Sequence, residues 1–119
     1  PWGAELPTDE HACFGRLTNK AGTCAVGKRK KGASPFGALD MSGNVWEWTA
    51  TPFCRYGEQE CKSDEYVGRG GSWDYENADN LTATARAGGP RRHARDLLGV
   101  RCAKSPRPEK KRVQDAANN

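Results

Sequence analysis

Alternation of large apolar and polar positions is confined to a few short stretches. The clearest lies at Val45-Trp46-Glu47-Trp48, where a strand reading puts both indoles on one face. Gly37 and Gly43 interrupt the run before it, which predicts a compact turn rather than a long element. Leu81, Ala83 and Ala85 alternate with Thr82, Thr84 and Arg86, predicting a second strand with one buried face. Thr23 to Gly27 is a short strand candidate, and residues 92–98 are expected to form a short helix after the Gly88-Gly89-Pro90 turn. Tyr66-Val67 leads into the paired Gly70-Gly71, a place for a bulge or close backbone approach, with Trp73 expected to fill the core. The rest of residues 1–33 reads as irregular structure.

Composition makes this core thin. The 119 residues include no isoleucine, and Leu, Val and Phe together number only fourteen. A net charge of +4 does not indicate disorder, so a loop-rich fold needing metal, disulfides or further protein is expected. Among the five cysteines, Cys13 with Cys24 and Cys54 with Cys61 can each close a short loop, leaving Cys102 over; the alternative is five reduced thiols. Exposure of residues 51–68 favours the bridged form and an oxidising, extracytoplasmic compartment. No Cys-x-x-Cys occurs and His11 and His93 lie far apart, which argues against zinc. No apolar run is long enough for a membrane span. The basic run at residues 28–31 has no interleaved aromatic residue, so it reads as a solvated loop and not as a nucleic-acid site.

Two groups carry candidate chemistry. Asp40, Glu47, the Asn44 amide and loop carbonyls place oxygens around a glycine turn, a set that suits a hard cation such as Ca²⁺ or, alternatively, caps backbone groups and pairs with arginine. Arg86, Arg91, Arg92, Arg95 and Arg101 form a cationic stretch. Arginine forks match carboxylate or phosphate, but the plainer expectation is that Arg86 and Arg101 hold acidic side chains of neighbouring loops.

Gly-Asn-Val-Trp-Glu-Trp at 43–48, Arg-Gly-Gly-Ser-Trp at 69–73, Gly-Val-Arg-Cys at 99–102 and the opening Pro1-Trp2-Gly3 occur in the order found in the formylglycine-generating enzyme (sulfatase-modifying factor) family, which the chain resembles over residues 1–102. The resemblance implies an α+β, C-type-lectin-like fold with little regular secondary structure, of which this chain would be a C-terminal part that packs on sequence preceding Pro1. Residues 103–119, with +3 of the net charge, are expected to be a basic disordered tail. Carried over by position, a structural calcium site falls on Asp40, Gly43, Val45 and Glu47. The family's other calcium site has an asparagine where Cys13 stands, so that site is not expected.

The copper-dependent members hold Cu(I) through two cysteines shortly after the Trp73 position, and soft thiolates are the ligands that ion requires. Residues 74–86 contain no cysteine, which argues against copper and formylglycine synthesis. The resemblance then implies a non-catalytic ligand-binding or sensory module, with its surface around Tyr75, Asn77, Asn80 and Arg86 and an unidentified protein or small molecule as its ligand. The alternative is part of an oxidoreductase of the family, performing iron-dependent sulfur–carbon bond formation or formylglycine generation. Two histidines do not make a three-histidine iron site.

Overall fold

The computed structural model describes residues 1–15, 22–58 and 60–104. Its frame is one four-stranded sheet of β1 (Trp46–Pro52), β2 (Glu65–Arg69), β3 (Ala87–Pro90) and β4 (Leu98–Gly99), in the order β3-β2-β1-β4. β2 pairs antiparallel with β1 (Glu47 opposite Arg69, Trp48 opposite Gly68) and with β3 (Val67 opposite Gly88, Gly68 opposite Ala87). The register shifts between Trp48 and Pro52, where β1 bends away. β4 runs parallel to β1, Trp46 lying opposite Leu98. Two 3₁₀ turns, Lys30–Gly32 and Ala78–Leu81, are the helical content among the described residues, and long loops make up the rest.

Period-two alternation sets both indoles of β1 on one face, as expected, and glycines make room for them. A Cβ at Gly89 would lie 3.0 Å from Cη2 of Trp48, and one at Gly68 would lie 3.7 Å from the Trp46 ring. Trp46 is buried, with the Tyr75 ring edge-on at 5.8 Å. Val67, Leu81, Ala12 and Cys13 complete the buried apolar set, which confirms how small the core is. Leu6, Val26, Phe36 and Val100 are left exposed.

Polar groups supply the missing cohesion. Buried Asn44 accepts from the Cys24 N–H through Oδ1 (3.0 Å) and donates from Nδ2 to the Cys24 carbonyl (3.4 Å). Its backbone N–H donates to the Cys13 carbonyl, and its own carbonyl accepts from the Trp73 N–H. One side chain thus stands in for a strand partner. Asn44 has φ of 64°, a left-handed conformation asparagine tolerates better than most residues. The Cys13–Cys24 disulfide ties both ends of this junction, and Cys54–Cys61 closes the loop after β1, while Cys102 is an exposed free thiol.

Five expectations of local structure fail. Gly88, Gly89 and Pro90 make no turn but lie in β3, opposite Val67, Tyr66 and Glu65 of β2. Residues 81–86 form no strand: Leu81 ends a 3₁₀ turn, and the Ala83, Thr84 and Ala85 carbonyls all accept from Nη1 of Arg69 instead of from a ladder. Residues 92–98 contain turns and the start of β4 but no helix, because the Trp46 N–H takes the Leu97 carbonyl. Thr23 to Gly27 is a loop, since the Cys24 backbone is satisfied by the Asn44 side chain. Trp73 is only half-buried; the fully buried residue beside it is Ser72. Residues 105–119, most of the expected tail, lie outside the described residues.

Candidate functional site

The oxygen cluster assembles where the loop before β1 meets the chain leaving β4. Asp40, Gly43, Val45 and Glu47 all line one cavity of about 480 Å³, together with Asn44, Gly27 and Arg101. Asp40 has φ of 53°, and Gly43, at φ of 75°, approaches so closely that a Cβ there would meet the Cys13 carbonyl oxygen at 2.5 Å. Oδ2 of Asp40 accepts from the Gly27 N–H at 2.6 Å. Oε2 of Glu47 accepts from Nε of Arg101 at 2.7 Å, while Nη2 of Arg101 donates to the Leu39 and Asp40 carbonyls, each at 3.0 Å. Hydrogen bonding to Glu47 holds the Arg101 pKa above its ordinary value, with a smaller coulombic contribution from Asp40. The expectation that Arg101 would hold an acidic side chain is met.

The donor set is two half-buried carboxylates and backbone carbonyls, all oxygen, which fits calcium and not a soft metal. One oxygen of each carboxylate is engaged by a protein donor, Oδ2 of Asp40 by the Gly27 N–H and Oε2 of Glu47 by Arg101, and no protein donor to the second oxygen of either occurs among the described residues. No group of three or more His, Cys, Asp or Glu suited to a metal occurs among the described residues, so any cation here depends on carbonyls as well.

The other four expected site residues are not gathered in one place. Tyr75 packs on Trp46 and lines a cavity of about 290 Å³ with Trp48, His93 and Arg95. Asn77 caps the second 3₁₀ turn, its Oδ1 accepting from the Asp79 N–H at 2.8 Å. Asn80 lies within that turn, its carbonyl against Gly71.

Arg86 sits apart from them, beyond β1. Its guanidinium lies between the rings of Phe53 and Tyr56, 4.8 and 4.3 Å from their centroids, and Nη2 donates to the Cys54 carbonyl at 2.6 Å. Among the described residues it pairs with no carboxylate, contrary to expectation. Hydrogen bonding from Arg86, then from Arg69, lowers the pKa of the Tyr56 phenol. The surroundings of Tyr56, Arg55 and Arg69 were not singled out from sequence; the only signal was the density of arginine itself.

The sheet order, the two 3₁₀ turns and the long disulfide-tied loops define an α+β, C-type-lectin-like fold of low regular secondary-structure content. The chain belongs to the family of sulfatase-modifying factor enzyme 1-like domains, whose sequence model matches residues 2–106. It is 40% identical over 89 residues to a hercynine oxygenase of Mycobacterium tuberculosis, covering 66% of this chain and 20% of that protein. It is also 40% identical over 75 residues to the inactive C-alpha-formylglycine-generating enzyme 2 of Mus musculus, covering 59% of this chain and 22% of that protein. The chain therefore spans about a fifth of the length of the curated relatives it matches. Treponema denticola variable protein 1 shares the fold, with a TM-score of 0.65 at 24% identity over 76% of this chain and 34% of that one.

Proposed function

We propose that this sulfatase-modifying-factor-like domain is non-catalytic, a ligand-binding or sensory module held together by a structural calcium ion. One observation carries the reading: residues 74–86, where copper-dependent members place their thiolates, contain no cysteine, and Tyr75 and Asn77 there serve packing and capping. The exposed Cys102 thiol is the one free sulfhydryl among the described residues, and it follows the sheet rather than the Trp73 segment. An assay with copper and a Cys-x-Pro-x-Arg peptide is expected to yield no formylglycine, and turnover would overturn the reading. Two disulfides support an extracytoplasmic, oxidising setting. No helix among the described residues is long and apolar enough to cross a membrane.

Calcium would be held by the side chains of Asp40 and Glu47 and the carbonyls of Gly43 and Val45, supplying charge that ties the Trp46 turn to its neighbours. Saturating calcium at a hundredfold over its Kd stabilises a folded state by about 2.7 kcal/mol. Chelation is therefore expected to lower the melting temperature, and Glu47→Gln to lower it without further response to chelator. If neither moves the transition, Asp40 and Glu47 are a capping cluster alone.

A second reading is favoured by the hercynine oxygenase relative: the chain is part of an oxidoreductase whose metal ligands lie on other sequence. A histidine triad in the same polypeptide upstream of Pro1 would support it, and a kinase or lipoprotein signal there would support the module.

A further inference from the structure

We propose that the cavity enclosed by Arg55, Arg69 and Arg86 binds a small oxyanion: a phosphate or sulfate group, or the monoester of one. It deepens the ligand-binding reading by naming a ligand class at Arg86, and it is independent of calcium.

The cavity measures about 240 Å³, room for a tetrahedral oxyanion and a few further atoms. Arg55, Arg69 and Arg86 line it with Thr49, Thr51, Tyr56 and the buried Val67. No carboxylate is among its described lining residues.

Arg69 and Arg86 are oriented by backbone carbonyls, and neither pairs with a carboxylate among the described residues. Nη1 of Arg69 donates to the Thr84 and Ala85 carbonyls at 2.9 and 3.0 Å, and Nη2 of Arg86 donates to the Cys54 carbonyl. Carbonyls set the orientation of a guanidinium and leave its charge uncompensated. Nε of Arg86 is buried and has no hydrogen-bond partner.

Glu58 and Glu60 line the adjoining, larger cavity, and the Glu58 carboxylate accepts from the Arg55 backbone N–H at 3.1 Å. Hydrogen bonding from the Arg86 and then the Arg69 side chain, with smaller coulombic contributions from both, lowers the pKa of Tyr56, which places these two guanidiniums together at the cavity wall. Preoriented guanidiniums with hydroxyl donors are the arrangement that recognises phosphate and sulfate.

The test is a titration of the full chain, with EDTA present, against inorganic phosphate and inorganic sulfate at ionic strength held constant with chloride. Arginine Nε–Hε resonances are followed. The expected result is saturable shifts of Arg55, Arg69 and Arg86 with phosphate or sulfate but not chloride, and the stronger of the two names the group. Arg55→Gln, at the exposed rim, is expected to weaken binding roughly tenfold. Thr49→Glu, which tethers a carboxylate beside the guanidiniums, is expected to abolish saturation while the tryptophan indole signals remain dispersed. Equal responses to all three anions, or undiminished binding by a folded Thr49→Glu protein, would overturn the proposal. Because calcium is chelated throughout, failure of the calcium reading leaves this result unaffected.

Discussion

Asn44 carries more of this fold than any hydrophobic side chain of its size can. Its amide satisfies both backbone groups of Cys24, and its main chain spans Cys13 and Trp73. Asn44→Ala strands both Cys24 backbone groups and leaves at φ of 64° a residue less tolerant of that conformation than asparagine, so a loss of about 2–4 kcal/mol in urea unfolding is expected. Asn44→Asp keeps the acceptor but not the donor and should lose less. Arg101 acts similarly at the oxygen cluster. Its raised pKa means that its contribution is present at all pH values below the unfolded arginine value and is lost only in strong alkali. Its role is therefore tested by substitution: Arg101→Met should cost roughly 1–2 kcal/mol, discounted for partial exposure. For Tyr56 the sign is opposite. A depressed pKa stabilises the folded state only above the unfolded tyrosine value, and that gain is lost as pH falls through the folded pKa. Ultraviolet titration should show one of the three tyrosines ionising early, and either Tyr56→Phe or Arg86→Gln should remove that phase.

Single elements show why the sequence was only partly legible. β1 could be read because Trp46 and Trp48 have the size and spacing to dominate a local pattern. The alternation at Leu81, Ala83 and Ala85 had the same period but no partner strand; Arg69, fourteen residues away from Ala83, captured the carbonyls that a ladder would have used. Nothing local to residues 81–86 announces that competitor. The disulfides and the oxygen cluster were legible from short spacings and from a resemblance, whereas the Arg55/Arg69/Arg86 cavity arises from three separate elements. The paired glycines after β2 did signal close approach. Gly71 has φ of 75°, and a Cβ there would lie 2.6 Å from the Asn80 carbonyl oxygen. Gly71→Ala is accordingly expected to destabilise by more than about 2 kcal/mol and to loosen the second 3₁₀ turn.

At the scale of the molecule, covalent ties and polar junctions substitute for a small apolar core. The loops closed by the two bridges, with sequence separations of 11 and 7, are each worth about 2–3 kcal/mol in the chain-entropy account. Replacing Cys13 and Cys24 together by serine should lower the melting temperature more than replacing Cys54 and Cys61. The first bridge anchors the Asn44 junction and the oxygen cluster, while the second restrains a surface loop. An equal drop for both pairs would show that the junction holds without its covalent tie.

The parallel pairing of β4 with β1 adds one more consequence. Two residues of strand, arriving from some fifty positions away, close the sheet beside its most buried tryptophan. Closure across that separation gains few bonds for its entropy, so β4 should detach well before the antiparallel trio opens. In deuterated solvent, the Trp46 amide would then exchange faster than the amides shared by β2 and β3, although its indole is the best shielded ring of the protein.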